Sequence, residues 1–114
     1  MLLAEDDPAV VDVVLRSLDS ANHVVVASNG REALRMAADQ PFDVVLCDLR
    51  MPEMDGLELY ERLRAGHPEL AGRVLFISGD TSSLVTREAL DATGRPLLAK
   101  PFTPEELYGA IRAL

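Results

Sequence analysis

Cysteine is almost absent from this chain of 114 residues, and the single cysteine, Cys47, has no partner with which to form a disulfide. That absence favours a reducing compartment. Cys47 lies inside an apolar run, so it is better interpreted as a small buried hydrophobic side chain than as a reactive thiol. Histidine is also scarce, and the positions of His23 and His67 do not give the ligand spacing of a zinc site.

Long hydrophobic runs and leader-like basic stretches are missing as well. No run of about 18 apolar residues predicts a transmembrane helix. No basic segment followed by an apolar stretch predicts a signal peptide. We therefore expect a cytoplasmic domain that makes no contact with a membrane.

Basic residues are outnumbered by acidic ones, 11 against 19, which gives a formal net charge of −8. A charge of this sign argues against direct binding to nucleic acid or to an anionic membrane surface. It is compatible with a site for a cation, although a solvated surface is the simpler explanation for most of the acidic residues.

The chain does contain a regular alternation of two patterns. Short apolar runs, rich in β-branched and aliphatic side chains, predict strands, and the segments between them have the apolar periodicity of helices. A polar run weakens the helical pattern over residues 82–92. The predicted strands are residues 1–4, 24–27, 44–47, 74–77 and 97–99.

Side-chain chemistry marks two helix starts. Asp7 before Pro8 is typical of an N-cap followed by proline at the first helical position. Thr103 with Glu106 predicts a capping box. The apolar stripe of the first helix is predicted to hold Val10, Val11, Val14, Leu15 and Leu18.

Repeated alternation of strand and helix predicts a single domain over residues 1–114 with an α/β fold. The strands are apolar throughout rather than alternating, as expected when helices cover both faces of a parallel sheet. Right-handed crossovers restrict the topology. We expect a flavodoxin-like (βα)5 sandwich whose five-stranded parallel sheet has the strand order 2-1-3-4-5.

Polar residues stand where these predicted strands end. Glu5 and Asp6 end the first strand, Asp48 the third, Ser78 the fourth and Lys100 the fifth. In open α/β sheets, sites form beyond the carboxyl ends of the strands, where the strand order switches. The switch here lies between the first and third strands. The three carboxylates are therefore expected to converge on one crevice, with a hydroxyl and an ammonium group at the same edge.

Three ionised carboxylates in one crevice repel one another and persist as anions only when a cation compensates them. Oxygen ligands with room for water favour Mg²⁺, or Mn²⁺, over zinc. A cation, a lysine and a hydroxyl also suit a phosphoryl group, whose oxygens need donors and positive charge around them. A carboxylate in this setting can act as the nucleophile and form an acyl phosphate.

Four motifs make the chain resemble the receiver domain of two-component response regulators over essentially its whole length. The motifs are LLAEDDP (residues 2–8), DLRMPEMDG (48–56), FISGD (76–80) and AKPF (99–102). The resemblance implies a phosphorelay domain that switches conformation on phosphorylation. It also implies a sensor histidine kinase or a histidine phosphotransfer domain as the partner.

The resemblance assigns roles to individual residues. It implies that Asp48 is the phosphoacceptor and takes the phosphoryl group from a phosphohistidine. It implies that Ser78 hydrogen-bonds the phosphoryl oxygens and that Lys100 pairs with them. In the family the bond between Lys100 and Pro101 is usually cis. Gly56 is expected to let the backbone turn into the next helix.

The same resemblance implies the ligands of a Mg²⁺ ion. Asp6 is the main acidic ligand, Glu5 holds a metal-bound water, and Asp48 contributes a carboxylate oxygen. The backbone carbonyl of Arg50 completes the protein's share of the metal shell. We also hypothesise that Arg50 pairs with Asp80 across the mouth of the cleft.

Two other functions stay open. Hydrolases of the haloacid dehalogenase type also form an aspartyl phosphate, but they use a second aspartate two residues after the nucleophile. This chain has Arg50 there, which cannot exchange a proton near neutral pH. A degenerate receiver that only docks a partner is the other alternative, although every expected site group is present. We therefore expect a signalling domain rather than an enzyme that acts on a separate substrate.

Three expectations concern output. Many receivers have an aromatic switch residue at the position of Leu97, so such a switch is absent here. Residues 82–114 form the expected partner surface, which a homodimer is one way of using. The stretches VLFISGDT and RPLLAKPFTPEEL resemble receivers attached to hybrid sensor histidine kinases. A stand-alone receiver, or one from a DNA-binding regulator, stays open.

Overall fold

A computed structural model describes residues 1–18, 23–79 and 84–114 of the chain. Strands and helices alternate along these ranges, and none of these helices is long and apolar enough to cross a membrane. The elements in chain order are β1 (Leu2–Ala4), α1 (Pro8–Ser17), β2 (Val25–Ala27), α2 (Gly30–Asp39), β3 (Val45–Asp48), α3 (Gly56–Gly66), α4 (Pro68–Ala71), β4 (Val74–Ser78), α5 (Leu84–Thr93), β5 (Leu97–Ala99) and α6 (Pro104–Arg112).

The strands form one parallel sheet in the order β2-β1-β3-β4-β5, so the predicted topology is confirmed. β1 lies between β2 and β3, with Ala4 opposite Ala27 on one side and Cys47 on the other. β3 and β4 each run one residue further than the apolar pattern predicts. Asp48 and Ser78 are therefore the last residues of their strands.

Helices cover both faces of the sheet. α2, α3 and α5 lie over one face, and α1 and α6 lie over the other. Successive strand residues point to opposite faces, which is why Leu2 and Ala4 join the first cluster and Leu3 joins the second. The buried side chains that α2, α3 and α5 contribute are Ala33, Ala37, Leu59, Tyr60, Leu63 and Leu90.

α1 presents a narrower apolar stripe than its sequence predicts. Val14 is fully buried and Leu18, the C-cap residue, is nearly so, but Leu15 is 45% exposed. Leu15 lies about 100° around the helix from Val14. A helix that meets the sheet through Val14 therefore turns Leu15 toward solvent, and the prediction that Leu15 belongs to the buried face is wrong.

The predicted helix starts are present. Asp7 caps α1 by accepting a hydrogen bond from the N–H of Ala9 at 2.9 Å. Thr103 and Glu106 form the capping box of α6, with hydrogen bonds of 3.1 and 3.2 Å. The single turn of α4 is not predicted by the apolar pattern. It begins at Pro68, which cannot continue α3 but is well suited to the first turn of a new helix.

α5 is held to the rest of the fold near its C-terminal end. Leu90 is the one buried residue among the described side chains of this helix. The Tyr60 hydroxyl of α3 donates a hydrogen bond to the carbonyl of Thr93, the last residue of α5, at 3.3 Å. A carbonyl at a helix C-terminus has no partner within the helix, so this bond satisfies it. Tyr60 also packs on Phe76 of β4, with ring centroids 5.9 Å apart.

We expect Tyr60→Phe to lower the free energy of unfolding by about 1 kcal/mol, because the Thr93 carbonyl loses its donor while the ring contact with Phe76 remains. Urea denaturation followed by far-UV circular dichroism measures the change. Tyr108→Phe is the matched control, since the half-buried Tyr108 makes no hydroxyl hydrogen bond within the described ranges. Its effect should stay within about 0.5 kcal/mol, and equal losses in the two variants would contradict the role of the Tyr60 hydroxyl.

Candidate functional site

Buried polar side chains gather at the carboxyl edge of the sheet. Glu5 follows β1 directly, Asp48 ends β3 and Ser78 ends β4. Their exposed fractions are 1%, 6% and 3%, and no other polar or charged residue in the described ranges is buried. Burying polar groups costs free energy unless partners or bound ions compensate them. The edge of the sheet therefore concentrates this cost at one place.

Carboxylates from two strand ends converge there. One oxygen from each of Glu5, Asp6 and Asp48 lies within 4.8 Å of the others, and Asp6 is exposed where the other two are buried. Lys100, directly after β5, reaches the same cluster. Its Nζ lies 3.2 Å from Glu5 Oε2 and 3.3 Å from Asp48 Oδ2. One ammonium group thus bridges two of the three carboxylates.

Burial and crowding change the protonation of Glu5. Burial of its carboxyl and the nearby negative charge of Asp48 raise the pKa of Glu5 from 4.5 to about 7. The N–H of Asp7, which donates to Oε1 at 3.1 Å, and the charge of Lys100 oppose this shift but do not cancel it. Without a bound cation, Glu5 is therefore partly protonated near neutral pH.

Lys100 and Cys47 titrate well away from neutrality. Partial burial disfavours the charge of Lys100, but the carboxylates of Asp48 and Glu5 outweigh burial, and the pKa of Lys100 is raised. Its ammonium group stays charged at physiological pH. Burial, followed by the nearby carboxylates, also raises the pKa of the Cys47 thiol. The burial of Cys47 and its raised pKa fit the interpretation of this residue as an unreactive buried side chain.

The donors of the cluster suit a hard divalent cation. Glu5 Oε2 is buried and accepts no hydrogen bond from the residues that the structure describes, although Lys100 lies close to it. A buried oxygen in this state is costly unless more positive charge reaches it. Three carboxylates with room for water match the oxygen ligands of Mg²⁺ and Mn²⁺. The residues at this edge therefore fit the predicted cation.

Arg50 lies beside the carboxylates. Its N–H donates a long hydrogen bond to Asp48 Oδ1 at 3.4 Å. Arg50, Asp6 and Asp55 line an open cleft of about 570 Å³. Asp55 itself caps α3, accepting from the N–H of Glu58 at 2.8 Å, so it serves the helix start.

The β3–α3 loop, residues 49–55, is packed tightly against the end of β3. The N–H of Gly56 donates to the carbonyl of Leu49 at 3.0 Å. A Cβ on Gly56 would lie 2.3 Å from the backbone oxygen of Asp48, which no side chain tolerates. Gly56 is therefore required by a close approach. Gly56 stands where the loop turns into α3, as expected, and what requires glycine there is this contact rather than a positive φ, which occurs among the described glycines only at Gly94.

The ends of β4 and β5 are joined at the site. The N–H of Lys100 donates to the carbonyl of Ser78 at 2.9 Å. The bond between Lys100 and Pro101 is cis, as the resemblance implies. The hypothesis that Arg50 pairs with Asp80 concerns a residue outside the described ranges, so it stays a prediction.

The sequence reasoning missed part of the wall of the cleft. Thr86 of α5 and Leu57 of α3 line it together with Arg50 and Met51. Both missed residues lie in the first turn of a helix that starts at the site edge of the sheet. Their place in the first turn of such a helix could have predicted that they line the cleft. A threonine and a leucine at these positions do not by themselves indicate a functional role.

Comparison with known proteins decides the family. Residues 1–112 match the family model of the response regulator receiver domain. The chain belongs to this family. It is 39% identical over 115 residues to the response regulator MprA of Mycolicibacterium vanbaalenii, covering 100% of this chain and 49% of that protein. The receiver protein CpdR of Brucella abortus is 32% identical over 115 residues, with 100% and 94% covered. The chain thus spans about half the length of MprA and nearly all of CpdR.

Solved receiver domains share the fold. The chemotaxis response regulator CheY4 of Vibrio cholerae superimposes with a TM-score of 0.85 at 30% identity, covering 98% of this chain and 94% of that chain. The receiver domain of the sensor histidine kinase PA1611 of Pseudomonas aeruginosa gives a TM-score of 0.85 at 29% identity, covering 98% and 93%. That structure has a magnesium ion coordinated in its active-site cleft. The chain is therefore a CheY-like receiver domain of a two-component system, from a family that binds Mg²⁺ at an acidic cluster.

The raised pKa of Glu5 should make the stability of this receiver depend on pH when divalent cations are absent. Folded Glu5 keeps its proton up to about pH 7, whereas the unfolded chain releases it near 4.5. The folded state binds more protons in this window, so it loses stability as pH rises through it. In EDTA, Glu5→Gln should gain roughly 1–3 kcal/mol over the native chain between these two pH values. Urea unfolding at a series of pH values measures the gain.

The exposed Glu88 of α5 supplies the control for this series. Glu88→Gln removes a carboxylate outside the cluster and should not reproduce the gain of Glu5→Gln. With saturating Mg²⁺, the difference in stability between the native chain and Glu5→Gln should no longer change with pH in this way, because a bound cation favours the ionised carboxylate. A difference between native and Glu5→Gln chains that does not change with pH in EDTA would contradict the shifted titration.

Proposed function

We propose that this receiver accepts a phosphoryl group from a phosphohistidine onto Asp48 in a Mg²⁺-dependent reaction and changes conformation to signal. The main support is the position of Asp48, whose carboxylate lies 3.3 Å from the Lys100 ammonium group and within 4.8 Å of carboxylate oxygens of Glu5 and Asp6. Asp48 is buried at the end of a central strand, so its carboxylate is held in one place. A fixed nucleophile beside compensating charge is what acyl phosphate formation requires.

The reaction follows from this arrangement. A carboxylate oxygen of Asp48 attacks the phosphorus of the phosphohistidine, and a P–O bond forms as the P–N bond breaks. The imidazole of the donor leaves with the electron pair and takes up a proton from solvent. Lys100, 3.3 Å from Asp48 Oδ2, stabilises negative charge on the transferred oxygens. Ser78, at the end of the next strand, donates a hydrogen bond to them.

Charge balance supports a divalent cation in the same cluster. The three carboxylates exceed the single positive charge of Lys100 by two when all are ionised. We propose that Asp6, Asp48 and the carbonyl of Arg50, with Glu5 at their side, hold Mg²⁺, with Mn²⁺ as a substitute. The ion would supply positive charge to the carboxylates and to the incoming phosphoryl oxygens, and Glu5 would be ionised beside it.

The change of conformation starts at the same atoms. The new phosphoryl group attracts Ser78 and Lys100, and the loops that follow β4 and β5 move with them. The expected partner surface, residues 82–114, of which 82 and 83 lie outside the described ranges, then presents an altered surface to a protein partner, or to a second copy of the chain. Val85 of α5 lies on this face and is 77% exposed, which supports its use as a contact surface.

The phosphoryl donor is a sensor histidine kinase or a histidine phosphotransfer domain. An apolar groove of about 390 Å³ beside Lys100 supports a protein donor, since Val10, Val13, Pro101 and Phe102 line it. We place the domain in the cytoplasm. We also propose that it makes no direct contact with nucleic acid, because its net charge is −8. Attachment to a hybrid histidine kinase stays a prediction, because the similar proteins include response regulators as well as a kinase receiver.

We further propose that the chain does not turn over a separate substrate. Phosphatases of the haloacid dehalogenase type place an acid two residues after the nucleophile, and the exposed Arg50 stands at that position. A guanidinium group does not exchange protons near neutral pH. No release of p-nitrophenol from p-nitrophenyl phosphate is therefore expected.

Incubation with acetyl phosphate and Mg²⁺ should add one phosphoryl group, about 80 Da, to the intact mass of the chain. Asp48→Asn should abolish this adduct, and EDTA should prevent it. Asp12→Asn is the matched control, because Asp12 is an exposed carboxylate on α1, paired with Arg16 at 3.0 Å. It should leave the adduct unchanged.

Three results would contradict the proposed function. The first is an adduct of the same size on the folded Asp48→Asn chain. The second is turnover of p-nitrophenyl phosphate by the native chain that is lost with Asp48, which would favour a phosphatase. The third is a native chain that binds Mg²⁺ but gains no mass, which would favour a receiver used only for docking.

A further inference from the structure

The first turn of α2 lies directly on the β3–α3 loop. Gly30, the first residue of this helix, is buried. A Cβ built on Gly30 would lie 2.3 Å from the backbone oxygen of Met54 and 3.0 Å from its Cβ. Atoms in ordinary contact lie roughly 3.5–4 Å apart. The two segments therefore meet at a separation that glycine alone permits at this position.

The N-terminus of α2 is fixed on its own side of this contact. The side chain of Asn29 caps the helix, accepting from the N–H of Glu32 at 2.8 Å. The hydroxyl of Ser28 donates to the Glu32 carboxylate at 3.1 Å. Ala33 and Ala37 bury the next two turns against the sheet. α2 consequently has little room to move away from Met54.

The loop is held from its own side as well. The Met54 side chain is buried in the core cluster. Its N–H donates to the carbonyl of Pro52 at 2.7 Å, and Glu53 between them has a φ of 67°. A residue other than glycine persists in the left-handed region only when its surroundings determine the backbone. The contact with α2 is part of those surroundings.

This loop carries groups of the proposed metal site. It begins at Leu49, directly after Asp48, and includes Arg50, whose N–H contacts the Asp48 carboxylate. Its far end is fixed by the close approach of Gly56 to the Asp48 carbonyl. The loop is therefore clamped at two points, by α3 at Gly56 and by α2 at Gly30. Its position decides where the Arg50 carbonyl lies.

We propose that Gly30 is a positioning residue for the Mg²⁺ site: by lacking a side chain, it lets α2 hold the β3–α3 loop where the Arg50 carbonyl and Asp48 act together with Asp6. This inference rests on the proposed function. A methyl group at Gly30 must displace the Met54 backbone by roughly 1 Å to reach ordinary contact. A shift of that size in a supporting loop is enough to change the affinity and rate of a site that depends on position.

Gly30→Ala tests the inference, with Gly109→Ala as the matched control. Gly109 is exposed in α6, and a Cβ there would meet nothing within 4 Å. The chain has four methionines, so methyl labelling of methionine gives one NMR signal each for Met1, Met36, Met51 and Met54. The Met54 signal reports the loop, and the Met36 signal reports α2. A Mg²⁺ titration of these signals gives the half-saturation concentration of the folded chain.

We expect Gly30→Ala to shift the Met54 signal and to raise the Mg²⁺ half-saturation concentration at least about fivefold, with Gly109→Ala unchanged in both. Phosphorylation by acetyl phosphate should slow in the same variant. The Gly30→Ala change is best made in the Gly109→Ala background, since alanine in an exposed helix interior stabilises the fold. Signals of folded and unfolded chains are separate in slow exchange, so the titration reports the folded fraction.

Unchanged Mg²⁺ half-saturation in folded Gly30→Ala overturns the inference. So does a shift confined to Met36, because α2 has then yielded instead of the loop. If Gly30→Ala does not fold, Met54→Ala replaces it by removing the buried anchor of the loop. That variant should weaken Mg²⁺ binding, and unchanged binding overturns the inference equally. A native chain that shows no Mg²⁺ response overturns the proposed metal site itself, and that failure is distinct from the others.

Discussion

Negative charge concentrated at one edge of the sheet is the constraint on which this receiver depends. Glu5 and Asp48 are both buried, and the ammonium group of Lys100 lies within 3.3 Å of each. The exposed Asp6 adds a third carboxylate, so the cluster keeps an excess of negative charge that partly dry surroundings strengthen. Without metal, protonation of Glu5 relieves the excess. The attraction of the site for cations therefore has the same origin as the instability of the empty cluster.

Most of the sheet and the identities of the charged residues could be predicted from the sequence, because both depend on local patterns. Apolar runs predict strands, and parallel strands bring their carboxyl ends to one edge of the sheet. The strand ends alone therefore predict that Glu5 and Asp48 lie close together. Contacts between distant segments leave no local pattern. The requirement for Gly56 comes from the Asp48 carbonyl, and the exposure of Leu15 comes from how α1 sits on the sheet. Both features depend on tertiary packing, which the apolar periodicity of the sequence does not predict.

Leu97 packs beside aromatic residues of the core. Leu97 of β5 pairs with Phe76 of β4 and packs against the same cluster as Tyr60. Aromatic volume on this side of the sheet therefore comes from the neighbouring strand and from α3, and Leu97 lies half-buried beside it. A leucine has no hydroxyl or ring quadrupole with which to favour one of two rotamers strongly. In the proposed function, the conformational response would therefore rely on backbone movement at the site edge rather than on rotation of this side chain.

Among the described elements, α5 is the one best placed to follow a backbone movement at the site edge. The sheet is buried by helices on both faces and cannot shift without disturbing two cores, since packed interiors tolerate little displacement. α5 is different, because its one buried residue among the described side chains is Leu90, and the Tyr60 hydroxyl ties its C-terminal end at Thr93. Its first turn holds Thr86, which lines the same cleft as Asp6 and Arg50. Among the described helices, one with this little buried surface is the element that a change of a few kcal/mol at the proposed phosphorylation site can move.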